Sequence, residues 1–424
     1  DKNLKNKKLI ASSLNLTLNS NLQHIIREEL VEGQTAFKSV GSAALLMDVD
    51  NGEILSLVSL PYYDLNQRFS INDDVFTNKI TKGVYEFGSV FKIFTLAAAL
   101  ESNLIDINTV FKNIDDKIFC SHYLISEHDP MPKKMSAEQI VIRSSNIGAV
   151  RIAQKIGIDK YRDFLNSLEL FSTIDFELEE VGTPLPFRWG KCKLATASFG
   201  HGITTTPLQL ARAYAVIANG GYKIEPYFID EITDGNGELV FKADPLVACG
   251  MDCDVGVAQA PQVIDPRDQF LLNSMLQDVI KRGTGRKARS LERSDIAGKT
   301  GTTNDQRDAW FSGYHPQLAT SVWVGFDQPE SLGRREFGGV AALPIWIEYM
   351  GTALKSLPET HFPQPDGITS VKIDPETGLR ALQGQPDVIF EYFKTENAPE
   401  EWDSTNPPPP PSMRSESETI ESIF

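Results

Sequence analysis

Two strand-forming segments that lie far apart in the sequence constrain the fold of this chain more than any other feature. The first, SAALLMDVDNGEILSLVSLP at residues 42–61, has two apolar runs that meet at Asn51 and Gly52, a dipeptide suited to a tight hairpin turn. The second, DAWFSGYHPQLATSVWVGFD at residues 308–327, is rich in the aromatic and β-branched residues that favour strands. Because helical patterns separate the two, we predict an α+β fold with a mainly antiparallel central sheet, flanking helices and an all-helical subdomain.

The composition predicts one main domain with a less structured region at each end. A chain of 424 residues, 41% of them hydrophobic, is long enough to bury a sizeable core. We expect residues 1–20 to be a polar leader or the remnant of a preceding region, and residues 21–385 to form the main domain. Residues 386–424 combine a polyproline run with serines and acidic residues, so we expect an acidic, disordered tail.

The charge balance excludes some classes of partner. With 41 basic and 57 acidic residues the formal charge is -16, which disfavours nucleic acid and anionic membrane surfaces. The sequence contains no apolar run near the roughly 18 residues that a transmembrane helix requires. Because the chain starts at Asp1 without a methionine or a signal peptide, we expect that a targeting segment is missing.

The cysteines and histidines do not indicate a metal centre. Four cysteines are too few for a disulfide scaffold, and the six histidines are scattered. Cys249 and Cys253 have three residues between them and no histidine nearby. A local disulfide or two free thiols is therefore a better interpretation of this pair than a zinc site.

The segment EFGSVFKIFT, residues 86–95, places a lysine three residues after a serine at the start of a helical pattern. Residues three apart lie on one helix face, so the Lys92 amine can approach the Ser89 hydroxyl. The alternative is that Ser89 only caps the helix, since serine is a favoured N-cap residue. A capping box has Glu or Gln where Lys92 stands, and the helix dipole disfavours a cation there, so we expect another role for Lys92.

A lysine that has lost its proton can activate a serine as a nucleophile. Free lysine has a pKa of about 10.4, and lowering that pKa to about 7 requires roughly 4 kcal/mol. The apolar neighbours of Lys92 supply desolvation, and a second lysine can add charge repulsion. The S-x-x-K pattern alone remains a weak signal, because it recurs by chance in many proteins.

Two further motifs make the pattern specific. The segment RSSNIG contains Ser144 and Asn146 in a helical pattern, and IAGKTGTTND has a strand-like K-T-G-T run at Lys299, Thr300, Gly301 and Thr302. Each has a simpler reading as well, because Ser144 and Asn146 can cap or bend a helix and GKTG can form a loop. A phosphate-binding loop is excluded, since it requires glycine six residues before Lys299, and that position is Arg293.

The ordered set S-x-x-K, S-x-N and K-T-G resembles that of the penicillin-binding proteins, the DD-transpeptidases that cross-link peptidoglycan, and of their serine β-lactamase relatives. Segments such as LATASFGHGITTTPLQLARAYAVIANGG, KRGTGRKA and FGGVAALPIW extend the resemblance over roughly residues 21–382. The first half resembles the monofunctional septal class, and the part after about residue 230 resembles the class A bifunctional enzymes. This difference leads to the hypothesis that the chain is a mosaic.

The resemblance implies a catalytic role for five residues. Ser89 is the nucleophile, Lys92 is its neutral base, and Ser144 relays a proton to the leaving D-alanine. Asn146 holds the substrate amide, and Lys299 raises the local positive potential. The resemblance implies no metal or organic cofactor.

It also implies a substrate-binding strand at Thr300, Gly301 and Thr302. The two threonine hydroxyls bind the terminal carboxylate of the stem peptide. Backbone N–H groups of Ser89 and Thr302 form the oxyanion hole.

Other activities share these motifs. A β-lactamase also needs a base for hydrolysis of its acyl-enzyme, and Glu180 is the candidate, although the surrounding ELEEVGTPLPF is more similar to a transpeptidase loop. A DD-carboxypeptidase, a non-enzymatic β-lactam sensor and a wall-binding scaffold are further alternatives.

The family resemblance implies peptidoglycan stem peptides and β-lactam antibiotics as ligands. It implies a periplasmic location, with attachment to the bacterial inner membrane only through a missing N-terminal anchor. Other proteins of cell-wall synthesis are the expected protein partners.

Overall fold

An antiparallel sheet of five strands forms the centre of the fold in the computed structural model, which describes residues 13–63, 66, 76–250, 253–326, 330–333, 336–374 and 379–402. In chain order the strands are β1 (Ser13–Leu16), β2 (Gly41–Asp48), β3 (Ile54–Leu60), β4 (Val110–Phe111), β5 (Lys117–Cys120), β6 (Tyr123–Ser126), β7 (Met135–Ser136), β8 (Ile229–Thr233), β9 (Leu239–Lys242), β10 (Ala297–Thr302), β11 (Asp308–His315), β12 (Leu318–Gly325), β13 (Ile368–Ile373) and β14 (Ile389–Lys394). The central sheet has the order β10-β11-β12-β2-β3. Both predicted strand pairs are therefore confirmed, and β12 pairs with β2 to join them.

Helices cover both faces of this sheet. In chain order they are α1 (Ser20–Phe37), α2 (Lys92–Glu101), α3 (Ala137–Arg143), α4 (Asn146–Ile156), α5 (Ile158–Ser167), α6 (Lys191–Ala197), α7 (Pro207–Ala218), α8 (Pro266–Arg282) and α9 (Gly338–Ala353). Short 3-10 helices occur at Gly88–Phe91, Arg286–Leu291, Asn304–Gln306 and Thr395–Asn397. The predicted α+β class is confirmed.

The two faces of strand β2 bury different hydrophobic clusters, as the two-residue period of a strand requires. Ala44 and Leu46 belong to the cluster that contains residues of α1 and α9. Leu45 and Met47 belong to the cluster that contains residues of α2, α7 and α8. Because both faces are covered, β2 is apolar almost throughout instead of alternating.

Between α2 and α7 most of the regular secondary structure is helical, but four short strands also occur, which corrects the predicted all-helical subdomain. Helices α3, α4 and α5 pack around α2, and α6 packs against α4. Two short strand pairs, β4 with β7 and β5 with β6, lie in the connection between α2 and α3. Pairing satisfies the backbone hydrogen-bonding groups of that long connection, where no helix forms.

The two predicted ends contain more structure than expected. Strand β1, inside the predicted leader, pairs with β8, so the ordered domain begins before residue 21. The tail prediction is wrong for residues 386–402, since β14 pairs with β13 and buries Phe393. The apolar run of β14 supplies the hydrophobic contact that a disordered tail would lack. The predicted disorder of residues 403–424, like the predicted leader at residues 1–12, lies outside the described residues.

Two disulfides link cysteines in the described part of the chain. Cys249 and Cys253 form a local disulfide, one of the two alternatives to a zinc site, which excludes their interpretation as zinc ligands. Cys120 and Cys192 form a second disulfide, between strand β5 and helix α6, that the sequence did not predict. Across the same residues, none of the helices has both the length and the apolar character needed to cross a bilayer.

Candidate active site

Ser89 lies in the 3-10 helix Gly88–Phe91, which leads directly into α2. Gly88 has a φ of +56°, and a Cβ at this position would lie 2.3 Å from the carbonyl oxygen of Thr302. Glycine therefore allows the start of the helix to approach strand β10 closely. Ser89 is 8% exposed and lines an open cleft with a volume of about 800 Å³.

Lys92 is the first residue of α2, and its amine is buried against Ser144. The Lys92 side chain is only 1% exposed, and Nζ donates to the Ser144 carbonyl oxygen at 2.5 Å and to Ser144 Oγ at 3.2 Å. Ser89 makes no side-chain hydrogen bond within the part of the chain that the structure describes. The nearest partner of the Lys92 amine is therefore Ser144, a contact that the sequence did not predict.

Ser144 lies at the break between α3 and α4. Its backbone adopts the left-handed conformation, with φ 62° and ψ 40°, which is uncommon outside glycine and frequent at functional sites. The adjacent Ser145 caps α4 by accepting a hydrogen bond from the Gly148 backbone. Ser144 is thus the C-cap residue of α3, but the side chain that caps α4 belongs to Ser145 and not to Ser144 or Asn146, and the Ser144 hydroxyl is directed to the lysines.

Lys299 reaches the same hydroxyl from strand β10. Its side chain is fully buried, and Nζ donates to Ser144 Oγ at 2.8 Å and to the Thr300 carbonyl oxygen at 3.1 Å. Two lysines from separate elements therefore meet at one serine oxygen, directly below the cleft.

Burial changes the charge state of both lysines. Desolvation lowers the pKa of Lys92 to about 7, while the Glu127 carboxylate acts in the opposite direction. Desolvation, and then repulsion from the Lys92 ammonium, hold the pKa of Lys299 well below its ordinary value. The sequence predicted that a second lysine would repel Lys92, whereas the repulsion acts chiefly on Lys299. A neutral amine is thus available beside Ser144 near pH 7.

The threonines of β10 form one wall of the cleft. Thr300 Oγ1 lies 2.6 Å from Thr284 Oγ1, which ties this strand to the segment after α8. Thr302 Oγ1 accepts a hydrogen bond from the Gly338 backbone at 3.0 Å, which leaves its own proton free to be donated. Both threonines face the cleft, and Gly301 between them is buried.

Glu127 is a candidate functional residue that the sequence analysis did not identify. It follows strand β6 directly and accepts hydrogen bonds from Ser145 Oγ at 2.5 Å, from the Asn146 backbone at 2.8 Å and from the Ile147 backbone at 2.9 Å. A carboxylate at this helix N-terminus is favourable for the helix dipole. No motif marks Glu127 in the sequence, since its partners are 18 or more residues away.

The β5–β6 hairpin also orients Asn146. The Asn146 Nδ2 donates to the Ser126 carbonyl oxygen at 2.9 Å. This contact leaves the Asn146 side-chain oxygen as the group able to accept a hydrogen bond from a ligand.

The structure brings all of the predicted site residues together, in three positions. Ser89, Ser144, Thr300 and Thr302 line the main cleft. Lys92 and Lys299 lie beneath it, and Gly301 is buried in the strand. Asn146 lines a smaller adjoining recess, which it shares with Ser89 and Thr302. Across the described residues no cluster of three potential metal ligands occurs.

Known families match most of the chain. The family described as "Penicillin binding protein transpeptidase domain" matches residues 42–348. The family described as "Penicillin-binding protein 1A, C-terminal domain" matches residues 364–407, which include strand β14.

Curated proteins named penicillin-binding protein 1A align with this chain over most of the chain's length. The protein from Pseudomonas aeruginosa is 36% identical over 88% of this chain and 47% of its own length. The protein from Neisseria lactamica is 33% identical over 82% of this chain and 39% of its own length. The chain therefore spans half or less of these relatives. An alignment over 88% of the chain includes both halves, so a mosaic is not required to explain the sequence.

Solved structures show the same fold. Penicillin-binding protein 1A from Haemophilus influenzae has a TM-score of 0.72 and 31% identity, and covers 86% of this chain and 54% of its own. A D,D-transpeptidase domain from Eggerthella lenta has a TM-score of 0.66 over 81% of this chain and 83% of its own. At 24% identity the second similarity bears on the fold alone.

Proposed function

Because this chain belongs to the penicillin-binding protein transpeptidase family, we propose that it is a serine DD-transpeptidase of peptidoglycan synthesis. It forms an acyl-enzyme on Ser89 with a stem peptide that ends in D-Ala-D-Ala, and transfers the acyl group to an acceptor amine. The observation that carries this proposal is the meeting of two buried lysines at Ser144 Oγ, beneath a cleft that Ser89 lines.

Acylation begins when Ser89 Oγ attacks the carbonyl carbon of the penultimate D-alanine. The Ser89 proton passes to the neutral amine of Lys92, which its lowered pKa makes available. Ser144 contacts both amines, so it is placed to pass a proton to the nitrogen of the departing D-alanine. The C–N bond breaks and an ester between Ser89 and the peptide remains.

The developing oxyanion needs preorganised donors. The backbone N–H groups of Ser89 and Thr302 are the proposed donors, and such a donor contributes roughly 3 to 4 kcal/mol in other acyl-transfer enzymes. The N–H of Ser89 belongs to the first turn of a helix, where it has no acceptor within the helix.

The threonines and Asn146 are the proposed binding groups for the terminal carboxylate and the substrate amide. The hydroxyl of Thr302 is free to donate to the carboxylate, and that of Thr300 lies on the same wall. The free oxygen of Asn146 is able to accept the N–H of the substrate amide. Deacylation then reverses the proton path, as the acceptor amine attacks the ester and Ser89 regains its proton.

The test is the mass of the intact protein after penicillin treatment, measured for the parent and for Ser89→Ala. The parent is expected to gain one long-lived adduct and the variant none. A second measurement follows transfer from a D-Ala-D-Ala peptide to an added amine. An adduct that persists on Ser89→Ala would remove Ser89 from its role.

The competing activities give different results in the same experiment. Rapid loss of the penicillin adduct would indicate a β-lactamase, release of D-alanine to water alone would indicate a DD-carboxypeptidase, and an adduct without any transfer would indicate a sensor. The β-lactamase base proposed from the sequence has little support, because Glu180 is exposed and does not line the cleft.

The proposal places the protein in the bacterial periplasm, attached to the inner membrane and working with other proteins of cell-wall synthesis. Two disulfides support an oxidising compartment of this kind. Fractionation of cells, followed by cross-linking of the protein to its neighbours, tests these assignments.

A further inference from the structure

The lining of the cleft carries mainly positive charge, with Asp129 as the one acidic residue among the described residues that line it. Arg143, Arg286 and Lys287 line the cleft and are exposed, and none of the three forms an ion pair with a described residue. Arg282 also lines it, but is paired with Glu138 and Asp278. The whole chain has a charge of -16, so this group of cations, the cationic wall, is opposite in sign to the protein that bears it.

The backbone that carries the cationic wall is fixed to the catalytic elements. Arg143 is the last residue of α3, one residue before Ser144. Gly283 packs so tightly that a Cβ there would lie 2.7 Å from the Ile142 carbonyl oxygen. The hydrogen bond between Thr284 and Thr300 joins the same segment to β10. The backbone positions of the three cations are therefore held relative to Ser144 and the threonine wall.

Such a group of cations is suited to a carboxylate. Arginine offers a planar set of donors that matches a carboxylate, and unpaired charges of one sign along a cleft concentrate ligands of the other sign. The terminal carboxylate of the substrate is already assigned to Thr300 and Thr302. The cationic wall is thus available to bind a second anionic group of the ligand in the cleft.

We propose that Arg143, Arg286 and Lys287 bind a second carboxylate of the acyl-donor peptide, on a residue that precedes the D-Ala-D-Ala end. This assignment rests on the proposed function. The donor is favoured over the acceptor because Ser89, which becomes bonded to the donor, lines the same cleft as the three cations. The cationic wall selects donors whose side chain is a free acid over donors in which that acid is an amide.

The experiment uses pairs of donor peptides that end in D-Ala-D-Ala and differ in one residue, Glu or Gln, placed in turn at each of the three preceding positions. Hydroxylamine is the acceptor, because it carries no carboxylate and its product, a hydroxamate, is measured together with the released D-alanine. The parent is expected to prefer the Glu donor at one position by about tenfold in kcat/KM, since each exposed ion pair contributes up to about fivefold.

The double variant Arg286→Gln/Lys287→Gln is expected to lose most of that preference, with the Gln donor almost unaffected. Arg289→Gln is the matched control, because Arg289 lies in the same 3-10 helix but does not line the cleft. Acylation of the double variant by benzylpenicillin, which has a single carboxylate, should equal that of the parent and shows that the variant is folded.

Several results would overturn the assignment: no preference in the parent at any position, an equal loss on both donors in the double variant, or the same loss in Arg289→Gln. A carboxylate preference that appears only with peptide acceptors, and not with hydroxylamine, would overturn it as well. Failure of the proposed function has a different signature, since the parent would then transfer neither donor to hydroxylamine.

Discussion

The two buried lysines and the β5–β6 hairpin serve the same site by opposite physical means. Lys92 and Lys299 are at most 1% exposed, on elements of the main hydrophobic core. The hairpin lies at the surface, where Phe119 is 74% and Tyr123 56% exposed, yet it brings Glu127 to the start of α4. The core therefore sets the charge state of the amines, whereas the hairpin positions the polar groups around them.

This difference has a structural consequence. A side chain in the core keeps its place through packing on all sides, so its position does not depend on any single contact. The hairpin packs against the core on one face only, chiefly through Ile125, and is otherwise attached through specific bonds that include the Cys120–Cys192 disulfide and the hydrogen bonds of Glu127. Substitution of the buried lysines should therefore abolish most of the acylation activity, whereas substitutions in the hairpin should lower the acylation rate by misplacing polar groups of the site.

The largest effect is expected from Lys92→Met, which removes the amine but keeps an apolar side chain of similar length. Loss of a general base lowers rates by about 100- to 10,000-fold. The measurement is the second-order rate of penicillin acylation, with circular dichroism to show that the variant is folded. Acylation within a factor of a few of the parent would exclude Lys92 as the base.

Glu127→Gln tests whether the β5–β6 hairpin positions the site. We expect the rate of penicillin acylation, measured at its pH optimum, to fall about 10- to 30-fold. The amide can still accept a hydrogen bond from Ser145 Oγ, but the charge-assisted bonds to the backbone of Asn146 and Ile147 are weakened. Glu127→Asp should restore part of the rate. A rate equal to that of the parent in Glu127→Gln would show that the hairpin does not position the site.

The pH dependence distinguishes the two regions further. The Lys92 pKa of about 7 predicts that acylation of the parent rises about tenfold between pH 6 and pH 8, as the amine loses its proton. Glu127 raises the pKa of Lys92, so Glu127→Gln should move this rise to lower pH.

Two other charges face the same amine. Desolvation, and then repulsion from Lys92, lower the pKa of Lys299 and of His128, and both groups stay in place in the Glu127 variant. A rise at an unchanged pH in Glu127→Gln would contradict the electrostatic role of the hairpin.

The smallest effect on the reaction is expected from Cys120→Ser/Cys192→Ser, with Cys249→Ser/Cys253→Ser as the control. The Cys120–Cys192 disulfide joins residues with a sequence separation of 72, whereas the separation in the Cys249–Cys253 disulfide is 4. A longer closed loop restricts the unfolded chain more, so loss of the first disulfide should lower the free energy of unfolding by about 2 kcal/mol more than loss of the second. Chemical denaturation measures this difference. Acylation should fall less than in Glu127→Gln, because other hydrogen bonds of the hairpin remain. Equal stability of the two variants would show that the long-range disulfide is not an important tether.

Local patterns were sufficient to predict several parts of the molecule. Two apolar runs and the Asn51-Gly52 turn identified the β2–β3 hairpin. The spacing of Ser89 and Lys92 placed them at the start of a helical segment, which the structure divides into the 3-10 helix Gly88–Phe91 and α2. Strand β14 was missed, because a strand of six residues next to a polyproline run gives a weak signal without its partner β13. Glu127 and the Cys120–Cys192 disulfide were missed because their contacts join segments that are distant in the sequence.

The sequence by itself determined the order of the three motifs, the family and the elements that carry the motif residues, because each depends on residues that are close along the chain. Only the tertiary structure decided that both lysines meet at Ser144, that Glu127 holds the start of α4, and that Arg143, Arg286 and Lys287 line one cleft. Desolvation and charge coupling depend on distances through space, and folding brings together residues that are far apart along the chain.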